Sequence, residues 1–474
     1  MAQVKVLVAD LDGTLLRTDM LFETFWSSIA SDWRSLFSAI GGLIKGKACL
    51  KQVLARESAV EVAHLPYNDQ VIDYIRSWRA EGGQTALVTA SDQVLADRIA
   101  KHLGLFDESH GSDGSHNLKG PNKAAFLVER YGENGFVYIG DSAADLHAWK
   151  HAAKAVTVDI PDALKAQVNA MNIEADHLTS CSKGIIPYLK ALRPQQWLKN
   201  LLIFIPMLAA HQFGAETITQ SILAFVAFCC VASGVYVLND LLDLSADRCH
   251  PTKCNRPFAS GALPIVHSVW LVPGPLVLGL SVAAYLGWWF FAVLLFYYIS
   301  TLAYSMWLKR IVIIDICMLA GLYTLRILAG SAATSIPVSD WLREFSLFFF
   351  FTLATVKRQA ELVECKASGK PDVAGRGYRV ADLPLVSQLG SASGFVSILV
   401  LALYFNSPAV IETYSSPEIL WGSAVVLLYW LTRVYMITHR GGMHDDPIIF
   451  AVKDKVSWAC LVIIFLFVWV AFTF

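Results

Sequence analysis

Two groups of acidic residues stand far apart in the chain and in opposite surroundings. Asp10-Leu11-Asp12-Gly13-Thr14 closes a short apolar run in an N-terminal region that carries charge throughout. Asn239-Asp240-Leu241-Leu242-Asp243-Leu244-Ser245-Ala246-Asp247 follows a long apolar stretch in a part of the chain built from such stretches. In the first group two carboxylates lie two residues apart, and Gly13 gives the backbone room to turn. A carboxylate that attacks phosphorus needs magnesium to offset repulsion, and a second acid to protonate the leaving oxygen. Gly140-Asp141-Ser142-Ala143-Ala144-Asp145 offers further acids for that metal. Thr89 can hydrogen-bond a phosphate oxygen, and Lys123 can neutralise charge on the transferred group, with Lys119 as its rival. In the second group Asp240, Asp243 and Asp247 share one helix face if the helix continues, and Asn239 and Asp243 share a neighbouring one. Acids packed this way repel one another unless a divalent cation lies between them, and Mg2+ shares such oxygen ligands with phosphates. The run from His250 to Arg256 follows at once, bringing Lys253 and Arg256 within reach of a bound diphosphate.

The first group needs a sheet to hold it. Val4 to Ala9 is a β-prone run ending at Asp10, where ligands bind in parallel sheets. Gln84–Thr89 and Phe136–Ile139 repeat the arrangement, and Ala155–Val158 adds another run after a helical stretch. Such alternation predicts a doubly wound α/β domain. Residues 17–80 or so interrupt it with helix-like sequence, which suits a small cap.

The second group needs a membrane. Hydrophobic residues make up 55% of the 474 residues and charged residues 16%, but the average hides a division near residue 195. Beyond it, nine apolar segments centre near residues 206, 229, 274, 297, 322, 351, 397, 427 and 462. Stretches of about 20 such residues can cross a bilayer. Lysine and arginine collect in the loops after the second, fourth, sixth and eighth segments, among them Arg248, Lys253, Arg256, Lys309, Lys357, Arg358, Lys370 and Arg433. By the positive-inside rule these loops face the cytoplasm and Phe474 the opposite side. A net charge of −1 gives no reason to expect nucleic acid. The nine cysteines form no CxxC pair, which fits a reduced compartment, and Cys249, His250 and Cys254 match no standard zinc spacing. The chain opens on a charged, strand-like segment, so the N-terminal domain is expected in the cytoplasm.

DLDGT, Thr89 after a strand, Lys123 and GDSAAD, in that order over residues 3–160, resemble the haloacid dehalogenase superfamily of phosphatases. The resemblance implies Asp10 as nucleophile and Asp12 as general acid/base. Mg2+ would be held by Asp10, Asp141 and Asp145, with Asp12 beside them. Asn239 to Asp247 resemble the first aspartate motif of the UbiA superfamily of intramembrane prenyltransferases. That family's second aspartate cluster is absent, and Lys357-Arg358-Gln359-Ala360-Glu361-Leu362 stands in its place. With Leu192–Asn200, Asp247–Lys253, Tyr304–Lys309 and Ile314–Cys317, this block is similar to the decaprenyl-phosphate phosphoribosyltransferase branch, over residues 190–474. The resemblance implies phosphoribosyl diphosphate as donor and a polyprenyl phosphate as acceptor. Asn239, Asp240, Asp243 and Asp247 would hold Mg2+ and the diphosphate. Lys199, Lys253 and Arg256 would bind donor phosphates, and Lys357, Arg358 and Glu361 the remaining phosphate or ribose hydroxyls. Tyr304, Lys309, Asp315 and Arg326 are further candidates.

The expected organisation is a haloacid dehalogenase-like domain over 1–180, a linker or interfacial helix over 181–195, and a nine-helix UbiA-type bundle over 196–474. The expected protein is a multi-pass enzyme of the bacterial plasma membrane. It would make a polyprenyl-phosphoryl phosphoribose and remove the 5-phosphate itself, for envelope glycan synthesis. An aromatic prenyltransferase with an accessory or inactive phosphatase domain would instead call for a second DxxxD cluster. A transporter would call for internal repeats or broken helices with midplane charges. The sequence leaves a homo-oligomer open.

Overall fold

A computed structural model describes residues 5–113, 117–179, 184–369, 372–373, 376–443 and 446–474. Val4, Lys370 and the start of the 181–195 linker lie outside them. The chain forms two compact units, Met1–Leu192 with Tyr236–Val272, and Arg193–Val235 with Pro273–Phe474. By its packing, the segment carrying Asn239 to Asp247 therefore belongs with the N-terminal region.

The first unit is built on a six-stranded sheet: β1 (Val6–Ala9), β2 (Gln84–Asp92), β3 (Glu108–Ser112), β4 (Phe136–Gly140), β5 (Lys154–Val158) and β6 (Glu174–Leu178). Their order is β3-β2-β1-β4-β5-β6, and every pairing is parallel. The order reverses between β1 and β4, so the crevice beyond their carboxyl ends is the place for a ligand. Asp10 ends β1 and Asp141 follows β4. β3 and β6 escape a reading of the sequence because they are polar edge strands, ESHGS and EADHL. Apolar residues fill both faces of the central strands, as a sheet covered on both sides requires.

Three helices, α1 (Met20–Ser31), α2 (Ser35–Lys45) and α3 (Lys47–Glu57), stand between β1 and the rest of the sheet domain. α4 (Asp69–Ala80) belongs with the sheet, since Val71, Ile72 and Ile75 enter the core beside Leu7 and Leu87. Phe22 and Trp26 of α1 pack with Val237, Leu241, Phe258, Leu263 and Ile265 from the 236–272 segment. A buried ion pair joins the same elements: Arg248 donates to both oxygens of Glu23, at 2.6 and 3.0 Å.

Seven helices among the described residues are long and apolar enough to cross a membrane: Ala215–Leu242, Ile265–Leu286, Trp288–Met306, Ile314–Thr334, Val380–Phe405, Pro417–His439 and Lys455–Thr473. The expected segments near 206 and 351 are not among them. The first is broken into a 3-10 run, Pro194–Phe204, and a short helix, Ile205–Ala209. The second is a long helix, Asp340–Ala367, but only its stretch from Phe345 to Val356 is free of charge.

Removing one partner from a buried ion pair strands the other in a poor solvent, at a cost of about 3–5 kcal/mol. Arg248→Ala is therefore expected to lower the thermal midpoint of the first unit by several degrees, and Glu23→Gln in the same background to recover part of the loss. A midpoint equal to wild type in Arg248→Ala would show that the pair contributes nothing.

Candidate active sites

At the carboxyl end of β1, Asp10 receives the backbone N–H of Leu11 at 2.8 Å and the Lys123 ammonium at 2.8 Å. Lys123 comes from α6 (Pro121–Tyr131, with α5 the preceding Gln93–Leu103) and is buried, whereas Lys119 is exposed. Of the two lysines, Lys123 is the one that reaches Asp10. Asp10, Asp141 and Asp145 each bring a carboxylate oxygen within 4.8 Å of the others. Asp12 stands apart from that trio. Its oxygens accept from Ser91 Oγ at 2.6 Å and from the backbone N–H of Met20 at 2.7 Å. Thr89 is buried, and its Oγ1 accepts from the N–H of Ser91 at 3.0 Å.

Asp145 is saturated by donors. Tyr138 Oη, Ser142 Oγ, and the N–H groups of Ser142 and Asp141 reach it at 2.9–3.2 Å. Tyr138 Oη also accepts from Lys123 at 2.9 Å, so Asp145 holds the lysine as much as it could hold a metal. Ser91 and Tyr138 were not legible as site residues; a serine beyond a strand and a buried tyrosine carry no motif.

Electrostatics separates these acids. Burial pushes the Asp12 carboxyl up to about 7, with the Asp19 charge adding to it. Burial pushes Asp141 up to about 8, reinforced by Asp10 and Asp145. Burial also raises Asp10, against the pull of Lys123. Burial alone would depress the Lys123 ammonium, but Asp10 and Asp145 outweigh it and hold it above its ordinary value. An acid poised near neutrality suits proton donation to a leaving oxygen. Carboxylates this poorly solvated and mutually repelling are suited to a divalent cation, so the residues fit Mg2+.

In the second acidic group the Ala215–Leu242 helix ends one residue before Asp243, and a short helix, Leu244–Arg248, begins after it. The i to i+4 ladder nevertheless persists through Asp243 N–H to Asn239 O and Asp247 N–H to Asp243 O. The expected common face therefore forms, with a kink. Arg256 bridges that face, reaching Asp240 at 3.1 Å and Asp247 at 2.5 Å. The motif's acids thus meet a guanidinium of this chain. Burial still holds the Asp247 carboxyl above its ordinary value despite Arg256. Lys253 is exposed and Asn239 half-buried nearby.

The second unit holds two basic clusters. Lys199 and Lys357 both donate to Asp446 Oδ2, at 2.8 and 3.1 Å. Burial opposes the Asp446 charge, but Lys357 and Lys199 outweigh it and hold the carboxyl well below its ordinary value. Asp446 was not singled out, because an aspartate before Pro447 reads as a helix cap. It is that as well, accepting from the N–H of Ile448. The other cluster joins Arg358 and Arg376 to Asp315 and Glu361, with Tyr304 Oη bonded to Asp315 at 2.8 Å. Arg376 was not expected here. Arg326 is buried with no carboxylate partner among the described residues; Asn200 Oδ1, Leu322 O and Tyr297 Oη accept its protons, and aromatic rings flank it. Lys309 lies in a 3-10 turn, half-buried.

The UbiA prenyltransferase family matches residues 200–453, and the haloacid dehalogenase-like hydrolase family matches residues 7–150. The chain is 38% identical over 457 residues to an uncharacterised protein of Sinorhizobium fredii, which covers 95% of this chain and 88% of that one. The two-part architecture therefore recurs in full. It is 37% identical over 276 residues to the nodulation protein NoeC of Azorhizobium caulinodans, covering 58% of this chain and 89% of that protein. It is 31% identical over 298 residues to a decaprenyl-phosphate phosphoribosyltransferase of Mycolicibacterium smegmatis, covering 60% and 92%.

The raised Asp12 and Asp141 stabilise the metal-free fold most below their ordinary value of about 4, and that contribution is lost as pH rises through 7 to 8. Cation binding at the trio must displace the Asp141 proton. Mg2+ is thus expected to raise the thermal midpoint more at about pH 8.5 than at about pH 6; equal gains, read by differential scanning fluorimetry, would remove the cation site. In the second unit, Arg358→Ala leaves buried Asp315 with Arg376 and Tyr304 as its remaining partners and should destabilise the fold by up to about 3 kcal/mol. Lys357→Ala, whose side chain is partly exposed, should leave the midpoint within about a degree. Equal midpoints for the two variants would defeat this division.

Proposed function

The chain belongs to the UbiA prenyltransferase family, as a multi-pass membrane transferase with a haloacid dehalogenase-like hydrolase domain, and on that footing we propose that it transfers 5-phosphoribose from phosphoribosyl diphosphate to a polyprenyl phosphate and then removes the 5-phosphate. The observation that carries this reading is the replacement of the second acidic cluster by Lys357, Arg358 and Glu361, with Lys357 and Lys199 sharing a single carboxylate. Two ammonium groups on one acid leave a surplus positive charge, suited to an anion beyond a metal-bound diphosphate. The likeness to the decaprenyl-phosphate phosphoribosyltransferase of M. smegmatis supports a lipid-phosphate acceptor and transfer of a phosphoribosyl group.

In the transfer step an oxygen of the lipid phosphate attacks the anomeric carbon, and the bond from that carbon to pyrophosphate breaks. Asn239, Asp240, Asp243 and Asp247 would hold Mg2+, which supplies charge stabilisation to the departing pyrophosphate. Arg256 releases Asp240 and Asp247 as the donor binds and turns to its phosphates, beside Lys253. Arg358 and Arg376 orient Asp315, Glu361 and Tyr304 toward ribose hydroxyls. In the hydrolytic step Asp10 attacks the 5-phosphate, Asp12 protonates the departing ribose oxygen, and water then releases phosphate from Asp10. Lys123 and Thr89 hold the phosphoryl oxygens; Asp10 and Asp141, with Asp145 behind, would hold Mg2+, which would offset their charge. The hydrolase domain and the motif loops lie in the cytoplasm, the chain sits in the bacterial plasma membrane, and the Pro194–Ala209 and Asp340–Ala367 segments complete nine crossings. The product, a polyprenyl-phosphoryl ribose, serves as a pentose donor for envelope glycans.

A crossed pair of variants tests both halves. With labelled phosphoribosyl diphosphate, polyprenyl phosphate and Mg2+, Asp243→Asn should form no labelled lipid yet still hydrolyse p-nitrophenyl phosphate. Asp10→Asn should form labelled lipid that retains its 5-phosphate, one phosphate heavier by mass spectrometry than the wild-type product. Lipid labelling by Asp243→Asn would sink the transferase assignment, and identical lipids from Asp10→Asn and wild type would sink the second step.

A further inference from the structure

Beside the phosphatase acids lies a cavity of about 660 Å3, and part of its wall is foreign to the phosphatase domain. Asp12 and Asp141 line one end. Tyr188, Gly261, Ile265 and His267 line the other, the last three from the segment that follows the Asn239–Asp247 motif. That wall is built into place. Gly261 has φ +71, and a Cβ there would come 2.6 Å from the Cβ of Arg17, so the loop backbone lies directly on the turn that follows the nucleophile. Trp26 Nε1 of the α1 cap donates to Ser268 Oγ at 3.2 Å. Tyr188 Oη and His267 Nδ1 share a 2.9 Å hydrogen bond, and their rings stack.

Two basic groups in the cavity are uncommitted. Arg17 lines it, and its Nε is buried without a hydrogen-bond partner among the described residues. His267 has one ring nitrogen fixed by Tyr188, and no bond is formed by the other among the described residues. Four acids also line the cavity, Asp12, Asp19, Asp141 and Asp159; of these, Asp19 caps α1, Asp12 is bonded to Ser91 and Met20, and Asp141 accepts from Thr14 Oγ1 at 3.4 Å. A buried guanidinium nitrogen without an acceptor is costly unless a ligand supplies one.

We infer that this cavity binds a sugar phosphomonoester bearing a second anionic group, a phosphodiester on the anomeric carbon, which Arg17 and His267 hold while the monoester lies at Asp10. The inference rests on the function proposed above and adds the recognition that separates lipid-linked from free pentose phosphate. The transferase family's own loop thereby sets the phosphatase's specificity. Arg17 and His267 are binding groups and do not touch the reacting phosphorus.

The test uses the full-length chain in detergent with three probes: ribose 5-phosphate, ribose 1,5-bisphosphate, and the citronellyl phosphodiester of 5-phosphoribose. Each kcat/KM is expressed relative to the same variant's rate on p-nitrophenyl phosphate, which discounts any loss of folded protein. Wild type should prefer the diester to both other probes. Arg17→Gln should reduce the preference over ribose 5-phosphate about tenfold, mainly through KM, as expected for one charge-assisted hydrogen bond. Arg17→Lys should restore part of it, and His267→Ala should also lower it. Wild-type preference in Arg17→Gln overturns the second-anion site, and wild-type preference in His267→Ala overturns the loop's part in it. Preference for the bisphosphate overturns the diester. Hydrolysis of p-nitrophenyl phosphate but of no ribosyl probe would instead bring down the second step of the proposed function, a distinguishable result.

Discussion

A carboxylate stays charged in the interior of a protein only when a cation shares its burial. That constraint governs the first unit. Asp10 lies at the point where the strand order reverses, buried with Asp141 and Asp145 close by. Lys123 supplies one compensating charge from α6, at 2.8 Å. One ammonium does not balance three acids, and burial, reinforced by the neighbouring acids, pulls Asp10 and Asp141 upward. Tyr138 and Ser142 relieve it at Asp145 by donating hydrogen bonds, which ties the helix after β4 to the lysine. The fold thus supports an arrangement that a divalent cation completes.

The second unit meets the same constraint with different means. Asp446 is shared by two lysines, and Asp315 by two arginines with Glu361 alongside. Arg326 shows a third solution, a buried cation satisfied by neutral oxygens and aromatic faces. These arrangements differ in what they can release. A carboxylate held by two ammonium groups can give one of them to an incoming anion and remain paired. The Arg358–Asp315 pair, almost wholly buried, cannot be opened without exposing both charges to a poor solvent, so it orients its neighbours.

Much of the first site was legible because each motif follows a strand whose apolar run is unmistakable, as at Val6–Ala9 and Phe136–Gly140. The partners that tune it were not. Ser91 reaches Asp12 across 79 positions of sequence, and no local pattern encodes that distance. β3 and β6 were missed because an edge strand packs on one side and keeps polar residues. In the apolar half, composition marked nine segments, and seven of them are helices long and apolar enough to span among the described residues. Charges at both ends of Asp340–Ala367 shorten its apolar length, and Pro206 lies where the expected first span breaks into shorter turns. The roles of the basic residues were the least legible. Lysine and arginine in loops look alike in sequence, whereas burial divides Lys357 from Arg358.

The 236–272 segment joins two demands in one short stretch of chain. Its first residues carry the acids of the second motif, and its last ones pack with α1 and wall the cavity beside Asp12. Because Arg256 lies between them and bonds Asp240 and Asp247, any ligand that draws this arginine away acts on the loop from which Gly261 and His267 project. A loop anchored by the Gly261 contact and the Trp26–Ser268 hydrogen bond cannot absorb that movement by itself. The change has to be borne by the Arg256 side chain, whose reach is long and whose head group is only a quarter exposed. The acidic motif and the cavity wall are thus tied to one segment, the motif by the Arg256 bonds and the wall by the Gly261 contact and the Trp26–Ser268 hydrogen bond.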